Sequence, residues 1–379
     1  MTKPLKYLLQ SLNDSNYLAA KCVLGKNERI RLECSLLKNG LKLREQLLKQ
    51  WGKTSTSWAT PCGDTPKNGR KQMEYYNRLS FLQNGDFQNS YQHIYKQQIV
   101  NSSASVVLKT ICNNIANNFI CEEDLFYGSE TRFLLISEYF VDSESGLSNF
   151  YNLQRERKIW WMRSSADSSR YCVEPFDIYA NKNVQDYISQ KCKSITIKAN
   201  FPFGFVNMES ITLVPLHDIN FLNSLHTEDS TNTSLIRSVI NLDLTTYALI
   251  LDASDYGSLN RINPLMLNRK LAPYQILLAS LNRGNKAIDE LTLHLEHVLS
   301  KSGLRLYSTS IHINSQIELE ENLIYIDNIG IPYALVVDDE SCKSGLIKLR
   351  SRDTTLFETI HISDIPNYLL NIFESSDSL

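Results

Sequence analysis

The sequence has no apolar run long enough to span a bilayer, although 42% of its 379 residues are hydrophobic. No membrane contact is therefore expected. Its eight cysteines are scattered, without a CxxC pair, and the nearest two, Cys112 and Cys121, are nine positions apart. This spacing excludes a zinc ribbon. We expect reduced, mostly buried thiols, which are typical of an intracellular compartment.

The motifs of common enzyme chemistry are also missing. The sequence has no P-loop, no HExxH pair and no GxSxG elbow. The one close histidine pair, His294 and His297, has no evident third ligand, so surface or half-buried imidazoles are expected. Asp338, Asp339 and Glu340 follow a predicted strand, where solvated charge is expected. The sequence therefore predicts no metal site and no cofactor.

Charge is unevenly distributed along the chain. From Lys270 onward there are 9 Lys and Arg against 15 Asp and Glu, a net charge of −6, which leaves 30 against 26, or +4, for the preceding residues. Residues 1–53 alone carry 11 cations against 4 carboxylates. Nucleic acid is therefore expected to contact the first part of the chain rather than the last.

Strand and helix patterns alternate in the last part of the chain. Leu271–Leu281 is predicted as a strand, and Lys286–Ser302 as an amphipathic helix ended by Gly303. A second helix is predicted over Gln316–Ile329, ended by Gly330. The full predicted order is β-α-β-α-β-β-β-α, which indicates a mixed sheet covered by helices.

The segment GLIKLRSRDTT, Gly345–Thr355, is the most distinctive string in this region. A turn is predicted over residues 340–345, before a strand whose Ile347 and Leu349 share one face. The opposite face carries three cations, namely Lys348, Arg350 and Arg352. The two threonines at the end of the segment are predicted to turn the chain into a further strand.

This region resembles the anticodon-binding domain of class IIa aminoacyl-tRNA synthetases. Within that superfamily, LAP before the first strand and GLIKLRSRDTT...HIS at the end of the sheet are most similar to accessory subunits of animal mitochondrial DNA polymerase gamma. Close matches cover roughly the last hundred residues, and weaker ones extend back to about Phe150. The resemblance implies an α/β (α+β) fold, in which a class II synthetase-like antiparallel-sheet domain precedes an anticodon-binding-like mixed α/β domain.

We expect three parts, namely a basic N-terminal segment (1–53), a degenerate synthetase-like domain (54–268) and an anticodon-binding-like domain (269–379). The first part carries an amphipathic stretch, and a mitochondrial presequence is one interpretation of it. A helix is predicted over Leu36–Trp51, either an ordinary surface helix or one that rests on nucleic-acid phosphates. Residues 54–102 are polar and predict loops and short elements.

The middle of the chain contains patterns that suit an antiparallel sheet. Ser194–Leu216 predicts two strands joined across the turn FPFG, similar to the NFPWG segment of the family, with Phe203 where Trp is frequent. Arg237–Tyr256 is apolar and strand-rich. Vertebrate members carry an inserted helical bundle that forms a homodimer, but here only Ser105–Phe119 and Phe87–Gln98 suggest helices. Self-association is therefore left open.

A basic and aromatic helix is predicted over Phe150–Arg163, where the family has a similar one. Arginine and lysine on this helix suit phosphate contacts. The alternative is that Trp160 and Trp161 belong to the core and the cations form a solvated face. The candidate DNA-binding residues are Arg155, Arg157, Lys158 and Arg163.

The nucleotide chemistry of a working class II synthetase is not evident. Such an enzyme needs an arginine-glutamate pair on its second motif and a glycine-rich strand that leads into a helix on its third. The expected window for the third motif, Ile250–Lys270, contains one glycine, Gly257, and an arginine, Arg261, without that pattern. These observations predict a protein without its own active site.

The resemblance implies a non-catalytic accessory subunit in the mitochondrial matrix and nucleoid. Such a subunit would bind the catalytic subunit of mitochondrial DNA polymerase and raise its processivity and its affinity for primer-template DNA. The alternatives are a divergent class IIa aminoacyl-tRNA synthetase of glycyl or prolyl type, and a tRNA- or RNA-binding adaptor.

The resemblance implies that the anticodon-binding-like domain is the docking module, and its net charge does not favour nucleic acid as its main partner. Arginine suits protein interfaces, since its planar group meets carboxylates with two hydrogen bonds. The alternative is that Arg350 and Arg352 pair internally with Asp353, Glu358 or the neighbouring strand. The candidate polymerase-binding residues are Gly345, Lys348, Arg350, Arg352, Thr354 and Thr355.

Overall fold

The structure is a computed structural model. It describes residues 3–24, 30–61, 105–114, 126–127, 132–175, 192–215, 233–254, 264–281, 285–307, 311–313 and 315–374. The prediction of a helix over Phe87–Gln98 lies outside these residues. In this part of the chain, no helix is both long enough and apolar enough to cross a membrane.

The N-terminal segment folds into two helices around a hairpin. The elements are α1 (Lys3–Asp14), β1 (Leu18–Leu24), β2 (Ile30–Leu36) and α2 (Lys38–Lys53). Leu9, Leu12 and Leu47 belong to the same hydrophobic core as Trp161 and Tyr247 of the following domain. The N-terminal segment therefore shares a hydrophobic core with the domain that follows it.

A largely antiparallel sheet follows, and its seven described strands lie in the order β3-β4-β6-β10-β9-β8-β7. Only the short β3–β4 pair is parallel. The two-residue strand β5 (Phe126–Tyr127) instead joins the β1–β2 hairpin. The strands are β3 (Thr60–Pro61), β4 (Val106–Asn114), β6 (Arg132–Asp142), β7 (Tyr171–Pro175), β8 (Lys193–Phe201), β9 (Gly204–Pro215) and β10 (Thr233–Asn241).

Two helices among the described residues of this domain pack on the sheet, α3 (Ser143–Ser164) and α4 (Leu242–Asp252). Helix α3 begins directly after β6, where the side chain of Asp142 accepts a hydrogen bond from the amide of Glu144. The sequence prediction was wrong for α4, because an apolar run that is buried all round does not distinguish a helix from a strand.

The predicted helix over Ser105–Phe119 is also wrong, since β4 occupies most of it. Its first residues, Val106 and Val107, favour a strand because they are β-branched.

The C-terminal domain has the predicted order of elements, except that a short helix lies between its third and fourth strands where a turn was predicted. Its strands are β11 (Ile276–Leu281), β12 (Ile311–Ile313), β13 (Tyr333–Val337), β14 (Leu346–Ser351) and β15 (Phe357–His361). They form a mixed sheet in the order β12-β11-β13-β14-β15, parallel in its first three strands and antiparallel in the rest. The helices are α5 (Lys286–Lys301), α6 (Gln316–Asn328), α7 (Asp339–Ser344) and α8 (Ile365–Glu374).

Alternate residues of this sheet enter two separate cores. Ile276 and Leu335 pack with residues of α5 and α8, whereas Leu277 and Ala334 pack under α6. The sheet is therefore covered on both faces, as the two-layer rule for a mixed sheet requires. Helix α6 does not extend over β15, whose side chains Phe357 and Thr359 are exposed.

Candidate interaction surfaces

The two central arginines of GLIKLRSRDTT are buried inside the C-terminal domain. Arg350 donates from its two terminal nitrogens to the two carboxylate oxygens of Asp327 on α6, each at 2.8 Å. Helix α6 covers the face of the sheet to which these cations belong, so Arg350 is held inside the domain. Arg350 is therefore buried rather than presented for docking, and its internal partner is Asp327 instead of the predicted Asp353, Glu358 or neighbouring strand.

Arg352 holds the linker that precedes the domain. Its guanidinium donates to the carbonyl oxygens of Leu265, Leu267 and Gly330, at 3.0 to 3.1 Å, and to the carboxylate of Asp353. It is also buried, and its carboxylate partner Asp353 is one that the internal-pairing alternative named. Burial would raise the pKa of Asp353, but the adjacent Arg352 and Arg269 guanidinium groups outweigh that effect and hold it below its usual value.

Gly345 ends the short helix α7, which replaces the predicted turn. Its φ of 71° lies in the left-handed region, where glycine avoids a steric penalty. A Cβ atom there would lie 3.0 Å from Nε2 of His361 on β15. Gly345 therefore joins α7 to β14 by its backbone conformation, and a bulky residue would disturb the pairing of β14 and β15.

The remaining candidates of this segment are exposed. Lys348 forms an ion pair with Asp338 at 2.8 Å, and Thr354 and Thr355 lie at the tip between β14 and β15. Thr355 has a φ of 58°, which is uncommon for a β-branched residue, and its amide donates to the carbonyl oxygen of Ser351 at 2.8 Å. This tip is held in a defined conformation by the backbone.

One face of the sheet is covered by α6 at β13 and β14 but is uncovered at β15. Residues that pair across these three strands show the change. Ala334 pairs with Arg350, which pairs with Phe357. Ala334 is buried under α6, Arg350 is buried beside it, and Phe357 is 48% exposed. Sequence analysis missed this apolar surface, although the pair Leu356–Phe357 directly after the turn was a usable signal.

Helix α6 forms one wall beside this uncovered face. Ile317, Glu320 and Ile324 lie on one stripe of the helix, because they are three or four residues apart. The next residue of that stripe is Asp327, whose bond to Arg350 turns the stripe toward β14. Ile317 and Ile324 are 71% and 57% exposed. We name the surface the α6–β15 groove, with seven lining residues: Ile317, Glu320, Ile324, Leu346, Lys348, Phe357 and Thr359.

Arg157, predicted to bind DNA, instead lies in the core between α3 and the antiparallel sheet. Its Nε donates to both carboxylate oxygens of Glu209, at 2.8 and 2.9 Å. Glu209 also accepts hydrogen bonds from Nε1 of Trp161 at 2.7 Å and from Oγ of Ser238 at 2.5 Å. An exposed role for Arg157 is therefore wrong, because its position one helical turn before Trp161 places both side chains on the buried face.

The other three basic candidates are accessible on the outer side of α3. Arg155 and Arg163 are exposed and Lys158 is half-buried. Tyr151 lies one turn before Arg155 and is 50% exposed, with the ammonium of Lys193 5.8 Å from its ring centre. This face can offer several cations to a phosphate backbone.

The antiparallel-sheet domain has a strand that leads directly into a helix, and this unit begins before the window predicted for the third motif. It is β10 followed by α4, and neither element contains glycine. The first turn of α4 contains no arginine, and its Asp243 pairs with Arg44 of α2 at 2.8 Å. The helix end that could approach a phosphate is therefore occupied by an internal ion pair.

The described residues also contain no cluster of three or more His, Cys, Asp or Glu side chains suited to a metal ion. His294 and His297 are both exposed on α5. Their exposure agrees with the ordinary role expected from the sequence.

Residues 275–372 match the model of the anticodon binding domain. The chain is 38% identical over 308 residues to the mitochondrial DNA polymerase subunit gamma-2 of Drosophila melanogaster, an alignment that covers 79% of this chain and 82% of the relative. The chain belongs to the DNA polymerase subunit gamma-2 family. The resemblance and the fold class predicted from the sequence are thereby confirmed.

The more distant relatives of this chain fall in two groups. The subunit gamma-2 of Xenopus laevis is 25% identical over 248 residues, covering 59% of this chain and 50% of the relative. The glycine–tRNA ligase of Mycoplasmopsis synoviae is 26% identical over 251 residues, covering 61% and 51%. The chain thus spans about half the length of these two relatives, and the second agrees with the predicted relation to class II synthetases.

Proposed function

We propose that the chain is a non-catalytic accessory subunit of mitochondrial DNA polymerase, which binds the catalytic subunit and raises its processivity and its affinity for primer-template DNA. The observation that carries this proposal is the 38% identity to a polymerase subunit across 79% of the chain. The glycine-free β10–α4 unit supports the absence of synthetase activity. Slower dissociation would raise processivity without any change in phosphoryl transfer.

The α6–β15 groove is the proposed docking surface, and it replaces the buried arginines of the sequence prediction. Its exposed side chains Ile317, Ile324 and Phe357 are large and apolar, as the centres of protein interfaces are. Thr354 and Thr355 stand at one end of the groove, and Gly345 positions the strand that carries Lys348. These four residues keep a proposed role at this interface.

The docking proposal is tested with single substitutions that leave the core intact. Phe357→Ser and Ile324→Ser are each expected to lower stimulation of the catalytic subunit at least about tenfold at limiting concentration, because loss of a buried apolar anchor costs about 1.4 kcal/mol or more. Their melting temperatures should stay near that of the wild type. The measurement is primer extension against a single-stranded template, with added accessory subunit.

A matched control is Leu293→Ser on α5, which is 68% exposed and belongs to a helix on the opposite face of the sheet. It should stimulate like the wild type. Full stimulation by both groove variants would exclude this surface, and an equal loss in Leu293→Ser would show that the effect is not specific to the groove.

Arg155, Lys158 and Arg163 are the proposed contacts for duplex phosphates. Binding through them should be independent of base sequence and should weaken steeply as salt rises. The triple change to glutamine is expected to lower duplex affinity and to flatten its salt dependence. Arg157 is left unchanged because of its structural role. If the triple variant binds duplex DNA as the wild type does, these three residues are not the duplex-binding site.

The runner-up function is aminoacylation, which the match to a glycine–tRNA ligase favours. It requires ATP-dependent transfer of glycine or proline to tRNA by the purified chain. Preferential binding of tRNA over duplex DNA at equal salt, without aminoacylation, would instead support an RNA-binding adaptor. A mitochondrial location belongs to the same proposal and is testable by import of the labelled chain into isolated mitochondria.

A further inference from the structure

A cleft of about 640 Å³ opens where the antiparallel-sheet domain meets the linker and the C-terminal domain. Arg170, Asp252 and Arg269 line it together with the backbone around Asn268. Asn268 donates to the carbonyl oxygen of Arg163 at 2.7 Å, so the end of α3 lies beside the cleft. Its size is within the range of ligand sites in proteins.

The charges at the cleft are largely paired with one another. Asp252 is buried and accepts from the amide of Ala166 at 2.6 Å and from Nε of Arg170 at 2.8 Å. Asp353 is held by Arg352 and by Arg269, whose own side chain is 42% exposed. Asp167, whose side chain is 43% exposed, lies 3.5 Å from Arg170. The accessible rim therefore carries both signs of charge, and Arg269 is the most exposed cation of these pairs.

Aromatic rings continue from this rim to the tip of the β8–β9 hairpin. The guanidinium of Arg170 lies 5.2 Å from the ring centre of Phe201. Phe201 stacks on Phe203, with ring centres 5.9 Å apart and planes inclined by 15°. On the same hairpin, the ammonium of Lys198 lies 4.3 Å from the ring centre of Phe205 and pairs with Glu174. Phe203 is half-buried at the turn itself.

We infer that this cleft and hairpin bind single-stranded nucleic acid, with the phosphate backbone along Arg163, Arg170 and Arg269 and an unpaired base against Phe203. The inference deepens the proposed nucleic-acid contact of the previous subsection and rests on it in part. Cations beside aromatic rings form the usual binding surface for unpaired strands, because every base has a stacking face. A duplex keeps its bases stacked inside and cannot use the ring of Phe203.

The nearby carboxylates should affect how the single-strand affinity of this site depends on salt concentration. Because Asp167, Glu174 and Asp353 offset part of the positive charge, few counterions should be released on binding. Single-strand affinity should consequently fall more slowly with salt than duplex affinity at Arg155 and Lys158. Stacking, which does not depend on salt to the same degree, then accounts for more of the affinity.

The test uses the full chain and three fluorescent probes of equal length: a thymidine homopolymer, a uridine homopolymer and a blunt DNA duplex. Phe203→Ala is expected to lower affinity for the homopolymers about tenfold, as the loss of one base stack would, and to leave duplex affinity unchanged. Comparison of the two homopolymers shows whether DNA or RNA is preferred. Phe203→Trp should retain affinity and show additional tryptophan quenching on binding.

Tyr151→Ala is the matched control, since this exposed ring lies on α3 away from the hairpin. It should bind the homopolymers like the wild type. Equal homopolymer binding by wild type and Phe203→Ala, or an equal loss in Tyr151→Ala, overturns the inference. If the chain binds the duplex but not the homopolymers, only the single-strand site is excluded. If it binds the homopolymers in a Phe203-dependent way but not the duplex, the proposed duplex contact is excluded and the single-strand site is supported.

Discussion

One buried arginine–carboxylate pair from each sheet domain can be compared, and the two pairs have different geometries. In the antiparallel-sheet domain, Arg157 approaches Glu209 through Nε, and its Nη2 atom is buried without a hydrogen-bond partner. In the C-terminal domain, Arg350 meets Asp327 with two parallel hydrogen bonds of 2.8 Å. The second arrangement satisfies both partners better, and it is the favoured geometry for a guanidinium and a carboxylate.

Burial also differs between the pairs. The Glu209 side chain is fully buried and accepts from three side chains, whereas the Asp327 side chain keeps 12% of its surface exposed at the end of α6. Removal of the cation would thus leave Glu209 as an uncompensated charge without access to water. The difference teaches that the more deeply buried pair is the one on which its domain depends more strongly.

The largest expected effect is that of Arg157→Met. Loss of the guanidinium leaves the charge of Glu209 buried, so we expect the free energy of unfolding to fall by about 3–5 kcal/mol. Urea denaturation followed by far-ultraviolet circular dichroism measures it. Arg155→Met, two residues away on the exposed face of α3, is the control and should stay within about 0.5 kcal/mol of the wild type.

A fall in Arg157→Met no larger than in Arg155→Met would contradict the structural role of the pair. The double variant Arg157→Met with Glu209→Gln sharpens the result, since it removes the buried charge as well. It should recover part of the lost stability if desolvated charge is the cause.

Arg350→Met should have a smaller effect in the second domain. Asp327 loses two charge-assisted hydrogen bonds, which contribute about 1.5–3 kcal/mol, but its carboxylate can gain water at the domain surface. Lys348→Met is the control, because its ion pair with Asp338 is partly exposed and should contribute about 0–1 kcal/mol. A loss of unfolding free energy in Arg350→Met as large as that in Arg157→Met would contradict the expected difference between the two regions.

The C-terminal domain was the more predictable region, because its amphipathic helices have clear ends. Gly303 and Gly330, the predicted helix stops, adopt φ values of 82° and 76° directly after α5 and α6. The strand pairing of β8 and β9 was equally accessible, since the turn FPFG separates two apolar runs. Local chemistry specifies such features, and local sequence therefore reveals them.

Local sequence did not reveal which element covers a predicted face of a strand. The alternation of apolar and basic residues along the strand correctly placed Lys348, Arg350 and Arg352 on one face. It contained no information on how far α6 extends across that face of the sheet. The carbonyl oxygens that hold Arg352 belong to residues 265, 267 and 330, which are distant in sequence. Predictions of function from these arginines failed because their environment is set by tertiary packing.

Both regions also contain a further cation that binds backbone carbonyl groups. Lys109 of β4 donates to the carbonyl oxygens of Trp51, Gly52 and Thr54 at the end of α2. Arg305 donates to those of Lys270 and Ala272 at the start of the C-terminal domain. Burial lowers the pKa of Lys109 to about 8 and that of Arg305 to about 10. Only the lysine therefore titrates near neutral pH.

The smallest expected effect is a pH dependence that comes from Lys109. Its folded pKa of about 8 lies below the unfolded value of about 10.4, so the unfolded chain binds more protons between these two limits. Stability relative to Lys109→Met should rise with pH across this window, by on the order of 1 kcal/mol in all. Unfolding free energies of both proteins, measured at several pH values, give the difference.

Lys109→Arg is the matched variant, because arginine keeps its charge throughout the window, as Arg305 does. It can donate to the same carbonyl oxygens, so it should be more stable than Lys109→Met at every pH. Its difference from Lys109→Met should not change with pH. A wild-type difference that stays flat would mean that the carbonyl groups of α2 hold the ammonium against its burial, and that the two regions bind their cations in the same way.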